Sequence, residues 1–520
     1  MILPDFYIQT DYRNDSIDFS DKEKNFYRGK IGILFSQDSS LNFTYVCIDN
    51  KKEERYTYNL LLHDISEHAS FIIGNYYTTF GLGHLIGRKR IYDPDILSTR
   101  INVSSKKPFT PCNSGNPVFA FNGISALFSE EASYIQLSLY SFYSVKQRFI
   151  DDDSENSGKL DSSLSSLENR YNQDYNHNEP AALHTHGSML SLKIIDLFLF
   201  QGFYVYTDLR SISDRKIAWE YNKNEAFASG ISMFKGGGIL TQYEDDYITV
   251  SFEGDISKIE KDFDADETSV NKKKQIFGYG FLYWIRYAHP FLSFAISVKN
   301  ADPDYYTPFG SSIGEDYPEN GWFYKSEIKP FLNLRIGAAI SSQKRKAVTG
   351  YTYNELPVTQ REMIYLKYSH SFLKRLNIKV RRMEKRSGDI EKKMQFTESM
   401  KIEITKSIML KLFNIYQRAY SAKPSNMSGI GFDLSFNSNI KTNINYIKAY
   451  ISQKNPVYTI SSPIRHSNTQ GFFVRQDSDV IILKSDFQYQ KIFLSFRYFH
   501  QFFCNKSLHK KLEFFGSGYF

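Results

Sequence analysis

Apolar and polar side chains alternate with a period of two along much of the chain. Between Phe277 and Tyr287 the odd positions read Phe277, Tyr279, Phe281, Tyr283, Ile285 and Tyr287, with Gly278, Gly280 and Arg286 between them. After Ala288-His289-Pro290, one face carries Leu292, Phe294, Ile296 and Val298, and the other Ser293, Ala295, Ser297 and Lys299. The pattern returns as Leu332, Leu334, Ile336, Ala338 and Ile340, then as Leu376, Ile378 and Val380 against Asn377, Lys379 and Arg381. Later copies are Phe432, Leu434, Phe436; Ile440, Thr442, Ile444, Tyr446; and Ile492, Leu494, Phe496, Tyr498. Successive side chains on a strand point to opposite faces, so the pattern predicts strands with one apolar and one mixed face.

A soluble sandwich alternates too, but its strands usually run about 5–6 residues. Several runs here are twice as long, which suits a tilted strand crossing a bilayer of about 9–11 residues. Short turns are expected near His289-Pro290, Lys329-Pro330, Leu373-Lys374 and Asn437-Ser438-Asn439. Longer polar segments, such as 300–320 and 453–470, separate them. Short turns at one end and long loops at the other mark an outer-membrane barrel. The predicted fold is an all-β, large antiparallel transmembrane barrel of roughly 18–24 strands spanning residues 1–520. Long extracellular loops are expected near 80–116, 151–180, 254–274 and 300–320.

Composition agrees with this. Phe and Tyr number 43 and 38 against 3 Trp, yet mean hydropathy is −0.43. Alternating strands average to mild hydrophilicity, whereas a bundle of spanning helices is far more apolar. No apolar run reaches the ~18 residues of a spanning helix. The longest, Met189 to Tyr206, is broken by Lys193, Asp196 and Gln201. Met1-Ile-Leu-Pro-Asp5 runs straight into strand-like sequence, so the chain as given is expected to begin at a mature or shortened start.

The net charge of +7 is a small excess over 520 residues. The one basic cluster, Lys379, Arg381, Arg382, Lys385 and Arg386, falls in or just beyond a strand, so no nucleic-acid partner is expected. Cys47, Cys112 and Cys504 are far apart and show no metal-ligand spacing; free thiols are expected. On alternation, Arg286, Arg335, Lys367, Lys379 and Arg381 face the lumen, where they favour anions or pair with carboxylates such as Glu403 and Asp433.

The C-terminal Phe520 closing an aromatic segment resembles the signal read by the bacterial barrel-assembly machinery, which implies that machinery and outer-membrane lipid as partners. Gly74-Asn75-Tyr76-Tyr77-Thr78-Thr79-Phe80-Gly81-Leu82-Gly83-His84-Leu85-Ile86-Gly87 resembles a GDY…FGQG signature, with Asn75 for Asp and Leu82 for Gln. Tyr305-Tyr306-Thr307-Pro308-Phe309-Gly310 and Glu319-Asn320-Gly321-Trp322 resemble a second loop of the same group. That group is the poorly characterised Bacteroidetes-type outer-membrane barrels, often described as helix-hairpin-helix or competence-protein-like; no helix-hairpin-helix stretch is read here. The resemblance implies a barrel and names no substrate.

Gly74, Tyr76, Phe80, Gly81, Gly83, His84, Pro308 and Gly310 are therefore the candidate loop residues. They build either rigid loops packed on each other or a constriction folded into the lumen. Enzyme signals are weak. No GxSxG elbow or Walker loop occurs, and no Ser/His/acid set stands out by spacing. His184-Thr185-His186 places two imidazoles on one side of an extended segment, read as a loop-edge pair rather than a metal site. No cofactor is expected. The functional expectation is a non-enzymatic outer-membrane barrel serving as a channel, transporter or surface structural protein. The alternatives are a lipid hydrolase on a barrel scaffold and a soluble, secreted β-rich binding protein.

Overall fold

The structure, a computed structural model, describes residues 5–17, 24–36, 38–48, 53–66, 68–87, 108–112, 120–151, 158–161, 180–211, 217–220, 231–262, 273–302, 305, 319–345, 358–387, 389–420, 422–452, 457–458, 473–474, 477–490, 492–503 and 508–519. Among them, 24 strands pair with their sequence neighbours in antiparallel fashion to form one closed ring. The ring shuts where Leu508–Tyr519 pairs with Asp5–Ile17, from Tyr7 opposite Tyr519 to Ile17 opposite His509. Closure leaves no strand edge unpaired, the condition for a sheet surrounded by lipid.

Alternation decides which way each side chain points. On Lys273–Ala288, Phe277, Tyr279, Tyr283 and Ile285 are exposed, while Gly278, Gly280, Leu282 and Trp284 are buried on the lumen side. The outer wall is apolar around the ring, with Ile8, Ile73, Ile124, Leu139, Leu190, Ile239, Ile256, Ile340, Ile364 and Ile444 all exposed. In water such a belt would be strongly unfavourable; against hydrocarbon it is the stable arrangement. The chain is an outer-membrane β-barrel.

One rim carries short connections, such as Ser133-Tyr134, Ile195–Leu197, Asp245–Tyr247 and Lys406-Ser407. In the Ile195–Leu197 turn, Ile195 and Asp196 both take positive φ, 52° and 57°. That backbone matches the twist of the flanking strands, so the stretch from Met189 to Tyr206 is a hairpin. The opposite rim holds most of the long connections, including 79–120, 152–179, 302–318 and 451–477. Asp5 and Tyr519 both lie at the short-turn rim, as an even strand count requires.

Some expected boundaries move. Residues 254–262 are not loop but the second half of the strand Ile248–Asp262. Their charged residues face inward or lie near the rim, where a barrel tolerates charge that a soluble core would not. Lys329-Pro330 lies inside Glu319–Phe331, and the turn is Leu332-Asn333, with Leu332 fully exposed. The register shifts between Ile328 and Phe331, so Pro330 sits at an irregularity where its missing N–H costs no ladder bond. His184 and His186 are on the strand Pro180–Ile194, not at a loop edge. Loop 80–116 contains the short strand Phe109–Pro111, and loop 151–180 the strand Gly158–Asp161. Cys47 and Cys112 are reduced, and the Cys112 thiol donates to the Tyr77 hydroxyl at 3.2 Å. Pro308, Gly310, Cys504, Phe520 and most of the expected long loops lie outside the described residues.

The lumen is less polar than the alternation implied. One side holds a buried apolar cluster in which Phe80, Leu82, Leu85 and Ile86 pack against Tyr140, Phe142, Phe203, Leu282 and Trp284. A smaller cluster of Ile415, Met427, Ile447, Val480 and Ile482 lies on the wall formed by later strands.

Candidate functional site

After Thr78 the chain leaves the wall and turns into the barrel. The Phe80 N–H donates to the Ile86 carbonyl (3.1 Å) and the Gly83 N–H to the Phe80 carbonyl (2.9 Å), closing a tight loop. Gly81 and Gly83 have φ of +53° and +86°, left-handed conformations that cost a glycine little. The Phe80 ring inserts among Tyr140, Phe142 and Phe203, with centroids 5.5, 5.8 and 5.7 Å away. All of residues 80–87 are buried.

Two carboxylates on Ile248–Asp262 hold this segment. Glu253, fully buried, accepts the backbone N–H groups of Leu82, His84 (3.1 Å) and Leu85. Asp255 lies 2.7 Å from His84 Nδ1 and accepts the Tyr305 hydroxyl at 3.4 Å. The Tyr305 ring stacks on His84, with centroids 4.9 Å apart and planes at 12°. Lys299 lies in the same row as Glu253 across Leu282 and brings positive charge to the cluster. Buried charge persists only when paired in this way.

The wall is cut to fit. A Cβ on Gly280 would fall 2.4 Å from His84 Cε1, and one on Gly238 would fall 2.0 Å from Asp255 Oδ1. Burial holds the imidazole of His84, which lies outside the strands, well below its usual range, and the Lys299 ammonium acts in the same direction.

The lumen on the other side is lined with cations. Arg335 stands opposite Lys367, Tyr365 opposite Lys379 and Met363 opposite Arg381, so four of the five predicted basic residues share one wall of three adjacent strands. Arg286 is also inward-facing but lies apart, between Thr249 and Ala295. Glu327 anchors the near end of this wall: it accepts the Tyr365 hydroxyl at 2.8 Å and approaches Arg335 at 3.8 Å. The ammonium of Lys367 sits 4.8 Å from the Tyr365 ring centroid. Beyond, Arg375, Lys379, Arg381, Lys393, Lys401 and Lys411 border a cavity of about 480 Å³.

Of the candidate loop residues, Phe80, Gly81, Gly83 and His84 meet in the lumen. Gly74 and Tyr76 stay in the wall, where Tyr76 stacks on Phe121 at 5.9 Å. His184 and His186 face outward on either side of buried Thr185; His184 contacts the Tyr143 hydroxyl (2.8 Å) and His186 the Tyr206 ring. Among the described residues no group of three His, Cys, Asp or Glu side chains is arranged to hold a metal. The sequence reading missed Glu253, Asp255, Glu327 and Tyr365, and it held Tyr305 only as part of a loop motif. A signal existed for the first two: Thr249, Ser251, Glu253 and Asp255 alternate with Ile248, Val250, Phe252 and Gly254.

No protein-family model and no curated protein matches the chain. Similar solved structures include a variant of the ferric enterobactin receptor PfeA from Pseudomonas aeruginosa, at 7% identity and TM-score 0.46, covering 99% of this chain and 80% of that one. The siderophore receptor PirA from Pseudomonas aeruginosa is similar at 5% identity and TM-score 0.47, over 99% and 80%. The siderophore receptor PiuA from Acinetobacter baumannii follows at 8% identity and TM-score 0.41, over 99% and 82%.

Proposed function

We propose that the chain is a non-enzymatic outer-membrane transport barrel that passes small anionic solutes through the part of its lumen left by the infolded segment. The observation that carries this reading is the cationic lining of the remaining cavity by Arg375, Lys379, Arg381, Lys393, Lys401 and Lys411. Fixed charges of one sign in a narrow, low-dielectric passage raise the local concentration of the opposite ion. The segment 79–87, clamped by Glu253 and Asp255, narrows the lumen and serves as its gate. Outer-membrane lipid surrounds the apolar belt, and the assembly machinery engages the C-terminal strand Leu508–Tyr519 together with Phe520.

Reconstitution in planar bilayers under a potassium chloride gradient tests the proposal. The reversal potential is expected on the chloride side, moving toward zero when Lys379 and Arg381 are replaced by Gln. A barrel that inserts but shows neither conductance nor solute flux would overturn passage and leave the architecture untouched.

A further inference from the structure

We propose that the cationic cavity is a binding site for an amphipathic organic anion, an acidic group on an apolar body, rather than a passage for inorganic ions alone. The inference rests on the reading above that anions enter this part of the lumen, and it names their class.

Midway along the strands, between Lys393 toward one end and Lys401 and Lys411 toward the other, the chemistry of the lining changes from strand to strand. Arg375–Ser387 presents Arg375, Lys379 and Arg381, while Asp389–Thr405 presents Thr397 and Ser399 beside them. Ile408–Ala419 then presents Phe413 and Ile415. The register makes this a repeated row. Lys379 lies opposite Thr397, which lies opposite Ile415, and Asn377 lies opposite Ser399, which lies opposite Phe413. In both rows a polar side chain, a hydroxyl and an apolar side chain thus follow one another across about 10 Å of wall, two strand spacings, and in the first row the polar side chain is the cation Lys379. An inorganic anion uses only the first two. The apolar end gains only from a ligand that displaces water from it.

The size of the space agrees. At about 480 Å³ the cavity falls within the range of small-molecule sites, roughly 300–1,000 Å³. The wall is also shaped to keep the space open. The Phe413 ring lies over Gly429 on the next strand, where a Cβ would fall 2.3 Å from Phe413 Cε1. Glycine there lets the ring lie back against the sheet, and a larger residue would drive it into the cavity. At the short-turn end, Asp433 accepts from both Lys401 (2.9 Å) and Lys411, which ties those two lysines together. The acid-binding end is assigned to Arg375, Lys379 and Arg381, the cations that one strand places beside the Thr397 and Ser399 hydroxyls.

The test uses the barrel in lipid nanodiscs, with equilibrium dialysis of naphthalene-2-sulfonate and, separately, of sulfate, each against empty nanodiscs. Naphthalene-2-sulfonate is expected to bind about tenfold or more tightly than sulfate, from burial of its ring system. Lys379→Gln with Arg381→Gln should weaken both ligands. Phe413→Ala and Gly429→Ala should weaken naphthalene-2-sulfonate about tenfold and leave sulfate unchanged, in barrels whose heat-shifted mobility shows them folded. Equal binding of the two ligands, or naphthalene-2-sulfonate binding indifferent to all four changes, would overturn the proposal. Binding is read without flux, so the two proposals fail separately. A barrel that binds but does not conduct loses passage alone, and one that conducts anions without discriminating loses the site alone.

Discussion

The imidazole of His84 lies face to face with the ring of Tyr305, and the Asp255 carboxylate reaches both. His84 belongs to the connection that follows Ala69–Thr78, and Tyr305 to the one that follows Leu292–Ala301. Two connections from the same rim, 221 residues apart at these positions, are thereby joined inside the barrel to a third element of the wall. Glu253 completes the junction by taking the backbone N–H groups that the tight loop leaves without an internal acceptor.

Replacing Glu253 by Ala should therefore undock the segment. The N–H groups of Leu82, His84 and Leu85 lose their acceptor, at about 1–3 kcal/mol for each left buried. Amide hydrogen exchange across residues 80–87 should accelerate while the barrel strands stay protected and the heat-shifted mobility is retained. Glu253→Gln should lie between, since its carbonyl oxygen still accepts. Wild-type protection of 80–87 in Glu253→Ala would mean that packing of Phe80 and Leu85, not the carboxylate, holds the segment.

Gly280→Ala tests the same junction from the adjacent strand, where Gly280 pairs with Asp255. Its Cβ would meet His84 Cε1 at 2.4 Å, and overpacking of this kind costs about 1–3 kcal/mol. The ring of His84 or the backbone of Gly280 must give way. In planar bilayers the variant should conduct more than the parent under the proposed gating, with unchanged reversal potential because the cationic wall is not touched. Unchanged conductance argues that the segment does not restrict passage.

Acid should loosen the segment as well. The folded pKa of His84 lies below its unfolded value of 6.5, so its contribution is fully present above that pH. The contribution is lost as pH falls through the depressed folded value, because the buried imidazole must then take up a proton. The groups facing it are Asp255, Glu253, Lys299 and Tyr305. Hydrogen exchange of 80–87, measured below pH 6.5 and corrected for intrinsic rates, should rise in the parent. His84→Gln carries no titrating ring, so its exchange should depend less on pH; an equal dependence assigns the effect to the carboxylates.

The apolar belt makes a prediction about location. Ile256 is exposed near the middle of Ile248–Asp262, on the face opposite Glu253 and Asp255. Arginine at such a lipid-facing position costs about 2–4 kcal/mol near the bilayer midplane. Reversible denaturant unfolding from lipid vesicles should show Ile256→Arg destabilised by this amount. A change near zero would place Ile256 at the interface or outside the membrane.

Long period-two runs such as Phe277–Tyr287 made the barrel legible, because only a strand places every second residue on one face. The basic wall was legible for the same reason: Arg335, Lys367 and Lys379 fall between outward apolar positions, and Arg381 follows Lys379 on the same face. Glu253 and Asp255 obey the same alternation. Asp255 was lost in an expected loop that began at Gly254, next to Glu253, because the stretch to Lys274 is rich in charge, and charge marks a loop in soluble proteins but not on the inner face of a barrel. The Gly74–Gly87 motif showed where positive φ is needed, yet it did not show what the glycines lie against.

Local alternation thus determined the strands, their two faces, the apolar exterior and the side on which each basic residue stands, since a two-residue period needs no partner to express it. Ring closure and register decided the rest. They alone bring Glu253 and Asp255 to a segment some 170 residues earlier, and set Phe413 and Ile415 two strands from Lys379. Such contacts depend on which strands are neighbours and at what offset. Those quantities are fixed by pairing around the whole barrel, and no single stretch of the chain encodes them.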